Sequence, residues 1–448
     1  MPLESLAPEL VSLILQNVDS PRGLHDLIAA SPACLRVFSQ TPQLILSAVT
    51  RNTLPIGTSR HYLVCLQAPV PATSDEVFLF LDKYFSASSS FDFPTTKADL
   101  VSLCQLYHRV TYLITRFLHQ MQQLGFDESI LAPSSSESVR LHRAFLRYEI
   151  YCRVFPPNET EPWEDPSPFH QFSAAEQFNL FLSQLTPWEV EEMACVQVYF
   201  FLLIGDYVGQ LEEQLIEAVK KTPGIVWPSS PELEPGEEAE KKGEDDLVEF
   251  KELDLTNLLL FSKDGIYSSP DSITYMTSLG LGFIYNLSTS EGSRSELIRS
   301  NSPLSREFLP EALSHSPIWP QEQQDEDISL EEGTLGDDPS HENLGYSLFR
   351  KNRNGGKVYL PIDPRGSHSS ILRQLGYVFW DSGRIQSFKV SDRLKAVEKM
   401  TYDEVHERFN KPWQKGAEAR LQGAMLPRDQ FERIEREFGY IEDPAESE

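Results

Sequence analysis

Cysteine is scarce in this chain. The five residues stand at 34, 65, 104, 152 and 195, and no C-x-x-C occurs. An odd number at wide spacing speaks against a disulfide framework or a zinc site, and reads as five reduced, mostly buried thiols in an intracellular protein. Positive charge is short as well, with 39 Lys and Arg against 67 Asp and Glu and a formal net charge of −28. Nucleic acid and anionic membranes both reward Lys and Arg, so neither is expected as a partner. Long apolar runs are missing. The longest, Met193 to Gly205, includes Gln197 and is too short to span a bilayer, so it reads as a buried helix. The start has no basic segment and carries Glu4 and Glu9, which does not fit a secretory signal. The expected location is the cytoplasm or nucleus.

Catalytic signatures are absent too. There is no G-x-x-x-x-G-K-[ST], no G-x-S-x-G and no H-E-x-x-H, and Gly280-Leu281-Gly282 is a lone G-x-G inside a helical pattern. Cys104 and His108 stand four apart on one helix, as a nucleophile and base could, but Cys104 adjoins an apolar seam and reads as a structural thiol. No cofactor, metal or catalytic residue is expected, and no repeat period is visible.

What is present is helical periodicity and enough apolar content, 40%, for a sizeable core. Residues 97–125 carry Leu100, Leu103, Tyr107, Val110, Ile114, Phe117 and Met121 three and four apart, with Leu106, Leu113 and Leu118 widening the stripe. That breadth predicts a core helix rather than a coiled-coil seam. Residues 137–154 form a further helix with Leu141, Phe145, Tyr148 and Cys152 on one side. Capping boxes at Ser173–Glu176 and Thr186–Glu189 open two more, the second running toward Val219. Pro270-Asp271 opens one helix through Ile273, Met276, Leu281 and Ile284. Tyr377-Val378-Phe379-Trp380, with Asp381 and Arg384, reads first as core and second as a recognition pocket.

The expected fold is mainly α: a three-helix module at 1–50 and a helical domain at 51–228, then an acidic linker at 229–246. A helical segment at 247–300 packs on the main domain, 301–345 is an acidic solvated stretch with too few apolar residues to order, and 346–448 is a helical and aromatic C-terminal region.

The first fifty residues are the most specific part. Leu6-Ala7-Pro8-Glu9-Leu10 opens a helix with apolar residues at 10, 13, 14 and 18, Asp19-Ser20-Pro21 breaks it, and Leu24, Leu27 and Ile28 begin a second stripe. So few residues cannot enclose so many apolar side chains alone, and the remaining face must dock on later helices or on a partner. This layout resembles the F-box, as found in a group of filamentous-fungal F-box-like proteins. The sequence departs from the pattern at Ala7, where proline is usual, and lacks the closing Cys-Arg-x-Trp segment. The resemblance implies a substrate-receptor subunit of an SCF-type cullin–RING ubiquitin ligase. It implies that Leu6, Pro8, Leu10, Leu13, Ile14, Leu15, Val18, Leu24 and Leu27 contact a Skp-type adaptor, with later helices holding an unknown protein target and no chemistry in the chain itself. The alternative is an F-box-like helical scaffold that joins no ligase.

Overall fold

Proline opens one helix after another. Its missing N–H belongs to the unpaired first turn of a helix, and its fixed φ already suits that turn. In the computed structural model of the protein, which describes residues 3–69, 73–157, 172–226, 270–301, 308–317, 341–351 and 367–405 with isolated residues at 338, 362, 427, 429–430 and 433–434, the fold is mainly α. No strand occurs among the described residues.

Four helices rather than three form the N-terminal module: α1 (Pro8–Gln16), α2 (Pro21–Ala30), α3 (Pro32–Gln40) and α4 (Pro42–Thr53). Pro32 and Pro42 each begin a helix, which adds a fourth to the three expected and carries the module past residue 50. Val11, Leu15, Leu24, Cys34, Val37, Ile45 and Val49 make a small apolar core of its own, separate from the main core. The module joins the body through α4, which lies against α1 and α2 on one side and against α7 (Lys97–Gln123) on the other.

The body is built around α8 (Ser135–Val154). It packs against α5 (Ser59–Gln67), α7, α10 (Pro187–Lys221) and α12 (Gly280–Thr289). The apolar face expected on one side of α8 understates its position, since residues 140–152 are buried on every side. α7 is a core helix, with Leu100, Leu103, Leu106, Val110, Leu113, Phe117 and Met121 all inside. α10 carries the apolar run and is long and apolar enough to cross a membrane, but 78% of that apolar window is buried in the body.

Two further expectations are corrected. The helix predicted to run on from Pro270 breaks in two, α11 (Pro270–Ser278) and α12, because Gly280 takes φ +79°, where a side chain is strained. The break exposes the first N–H groups of α12, and Glu149 of α8 accepts from the Leu281 N–H at 2.7 Å. A Cβ on Gly280 would stand 2.7 Å from that same carboxylate oxygen. Second, 301–345 is not solvated throughout. Phe308 is buried against Tyr148 and Tyr151, and α14 (Leu309–Ser314) seats Leu309, Ala312 and Leu313 on α9 (Ala174–Leu180). One aromatic anchor followed by a short apolar turn is enough to order this piece amid acidic neighbours.

The C-terminal region contributes α15 (Leu344–Lys351), α16 (His368–Gln374), α17 (Ser382–Ser387) and α18 (Val390–Glu398). Gly376, at φ +57°, ends α16 and feeds a 3-10 turn at Tyr377–Phe379. Tyr377, Val378, Phe379 and Trp380 are all core, and Phe117 meets both Phe379 and Trp380, so this run forms no recognition pocket. The linker at 229–246, Leu247, Val358–Pro361, the His406-Glu407 pair and Phe409, Trp413, Phe431 and Phe438 lie outside the described residues.

Candidate interaction surface

Ala7 stands at the N-cap of α1, where its methyl side chain accepts no hydrogen bond and leaves the helix without a side-chain cap, with Pro8 at the first helical position. A turn of 3.6 residues then sorts its side chains. Val11 and Leu15 point into the module, while Leu10, Leu13 and Ile14 remain 49%, 54% and 39% exposed. Pro8 is exposed, and Leu6, Val18 and Leu27 are half-buried at the edge of the small core. Leu15 and Leu24 are enclosed within it and cannot touch a partner while the module is folded, which corrects their placement among the contact residues. The sequence reading missed Leu35 on α3 and Leu44 on α4, which are 49% and 55% exposed. Their offset from the buried Cys34 and Ile45 was the available signal.

The module holds this face on a fixed frame. The Ser20 hydroxyl accepts from the Gly23 N–H at 3.2 Å and caps α2. Ser31 caps α3 and also donates to Glu4 at 3.1 Å. At the far end, Asn52 donates to the carbonyls of Gln16 and Val18 at 2.8 and 3.2 Å, and Thr53 donates to that of Asp19 at 3.1 Å. The end of α4 therefore satisfies the last carbonyl of α1 and two in the turn that follows it. The apolar surplus divides accordingly: α4 is covered by α7, and the outer face of α1 is left open. Covering each of its three large apolar side chains would contribute about 1 kcal/mol for the half still exposed.

No family model matches this chain, and no curated protein or solved structure is similar to it.

The residues weighed for catalysis do not converge. Cys104 is half-buried, its Sγ 3.3 Å from the Thr50 hydroxyl where α4 meets α7, and burial pushes its thiol up. His108 Nε2 instead lies 3.2 Å from the Tyr285 hydroxyl of α12. Asp381 pairs with Arg140 of α8 and accepts from Ser134. Among the described residues, no group of His, Cys, Asp or Glu is placed to hold a metal ion.

The polar chemistry that the sequence reading missed lies inside the body, where α8 and α10 exchange charges. Arg143 donates to Glu192 at 2.5 and 3.2 Å, Arg147 reaches both Glu192 and Glu189, and Arg384 of α17 donates to Glu137 at 2.8 Å. Arg373 of α16 forms a two-pronged pair with Glu191 at 2.8 and 2.9 Å, and the Tyr377 hydroxyl donates to the same carboxylate at 2.6 Å. Burial pushes the Glu192 carboxyl above its ordinary range despite both arginines. Burial also raises Glu189, but Arg147 and the Thr186 N–H outweigh it and hold that carboxyl low. Each charge has its partner, so this network ties helices together instead of presenting a reactive group.

The same burial gives a pH signature. His142, 2.7 Å from the Tyr62 hydroxyl, is held down at about 4 by desolvation. The unfolded chain takes up that proton near the ordinary value of about 6.5, so stability falls as pH drops between the two values. Between pH 7 and pH 5 the loss from His142 should be roughly 2 kcal/mol. Urea unfolding at both pH values should show a shallower pH slope for His142→Gln than for the native chain. Equal slopes would contradict the assignment.

Proposed function

We propose that this chain is a substrate-receptor subunit of an SCF-type cullin–RING ubiquitin ligase. α1 offers its open face to a Skp-type adaptor, and the helices from α5 onward carry the protein to be ubiquitinated. Ubiquitin transfer itself belongs to the partner subunits. One observation supports this reading most: Leu10, Leu13 and Ile14 stay open on a helix whose other face closes a finished core. Contiguous exposed apolar side chains on a rigid frame are the usual mark of a protein-binding site. Pull-down with a Skp-type adaptor tests it, with capture expected for the native chain and lost in a folded Leu10→Asp, Ile14→Asp double variant.

A second reading, a helical scaffold outside any ligase, is favoured by the uncapped Ala7 where the F-box pattern has proline, and by the missing closing segment. Failure of the native chain to capture the adaptor would select it.

A further inference from the structure

Away from the N-terminal module, one row of side chains differs from the rest of this acidic protein. In a chain of net charge −28, α7 carries a single acid, Asp99, against Lys97, Arg109 and Arg116, and α12 carries no charge at all. The row is continuous. The exposed His108 stands edge-on to Tyr285, and Tyr285 to Tyr112, with centroids 5.7 and 5.1 Å apart. Arg116 Nη1 donates to the Tyr112 hydroxyl at 3.4 Å, and Arg116 and Arg294 of α13 (Arg294–Arg299) both approach the Tyr207 ring, at 5.9 and 4.2 Å.

Two features of the row lack a counterpart. Arg109 is half-buried over Gly282 and has no ion pair or hydrogen bond among the described residues. The buried Tyr207 hydroxyl likewise has no hydrogen-bond partner among the described residues. The half-buried Arg109 guanidinium is the donor that an incoming acceptor oxygen can reach, whereas the Tyr207 hydroxyl is enclosed. Asp206, next to Tyr207, and Glu213 are the acids that share this end of the row, and Asp206 feels the charges of Arg116 and Arg294, so Arg109 is the arginine of the row with no ion pair among the described residues.

We infer that this row binds an acidic peptide segment of the target protein, an inference that rests on the receptor reading. Arginine and tyrosine are the side chains that most often anchor protein interfaces, and guanidinium groups pair with carboxylates in a fixed geometry. From residue 108 to 116 the helix rises roughly 12 Å, the span of about four residues of extended peptide. A row along the seam of α7 and α12, exposed at His108 and half-buried at Arg109, Tyr112, Arg116 and Tyr285, suits an extended segment laid across it better than a small molecule, which needs a concave site.

The test is fluorescence anisotropy with the full chain and a short fluorescein-labelled Asp/Glu-rich peptide, beside its Asn/Gln counterpart. The acidic peptide should bind about tenfold tighter than the neutral one and weaken with salt. Arg109→Glu should lower its affinity about tenfold, and His108→Glu, at an exposed position, should weaken it in the same direction. Equal binding of the two peptides, or unchanged affinity in both variants with native melting curves, would overturn the inference. Adaptor pull-down on the same samples separates the two claims. Adaptor capture without acidic-peptide binding defeats this surface alone, and peptide binding without adaptor capture defeats its assignment to a ligase target.

Discussion

Replacing Arg373 with leucine is expected to lower the free energy of unfolding by about 3–5 kcal/mol, because it leaves the Glu191 carboxylate buried without its guanidinium. The pair is fully enclosed, with Arg373 Nε 2.8 Å from one Glu191 oxygen and Nη2 2.9 Å from the other. Glu191→Leu should cost a similar amount, stranding Arg373 and the Tyr377 hydroxyl together. The Arg373→Leu, Glu191→Leu double variant should recover much of the loss, since two apolar side chains suit a dry site better than one isolated charge. Urea unfolding of the three variants measures the cycle. Single-variant losses below about 1 kcal/mol would mean that water reaches the pair, as it does at surface bridges. The cycle also probes assembly, because Arg373 on α16 and Glu191 on α10 tie the C-terminal helices to the body.

The second large effect separates neighbouring residues of α1. Ile14→Asp, paired with Leu10→Asp, places charge on the open face and should abolish adaptor capture while the melting curve barely moves. Leu15→Asp, one residue on, places a carboxylate at a site with no measurable exposure and should unfold the module. Truncation to Leu15→Ala should still cost about 2–5 kcal/mol. If Ile14→Asp and Leu15→Asp behaved alike, with capture and fold lost together, the outer face of α1 would be core and the proposed docking site would fail.

Much of the architecture is legible in the sequence because helices announce themselves locally. The stripe on α7, the Glu176 cap and the prolines at the starts of α1, α10 and α11 are short-range signals, and the structure places helices at each. The break at Gly280 was hidden because apolar residues continue at helical spacing across it, and only the later approach of Glu149 decides the geometry. α14 was hidden for a similar reason, since Phe308 finds Tyr148 and Tyr151 more than 150 residues away. The buried charges were the hardest to see. Arg140, Arg143 and Arg147 recur three and four apart on α8, a pattern that on its own reads as a solvated face. Only Glu189 and Glu192 at the start of α10, with Asp381 before α17, reveal that the arginines are matched inside the body. Of the proposed docking residues, spacing identified the stripe on α1. The split between Leu10, Leu13 and Ile14 outside and Val11 and Leu15 inside depended on where α3 and α4 pack.

Amide hydrogen exchange of the full chain, alone and with a Skp-type adaptor, tests the central claim most directly. The account predicts added protection across residues 8–16, absent in the Leu10→Asp, Ile14→Asp variant. Unchanged exchange across α1, or protection confined to helices beyond α4, would contradict it.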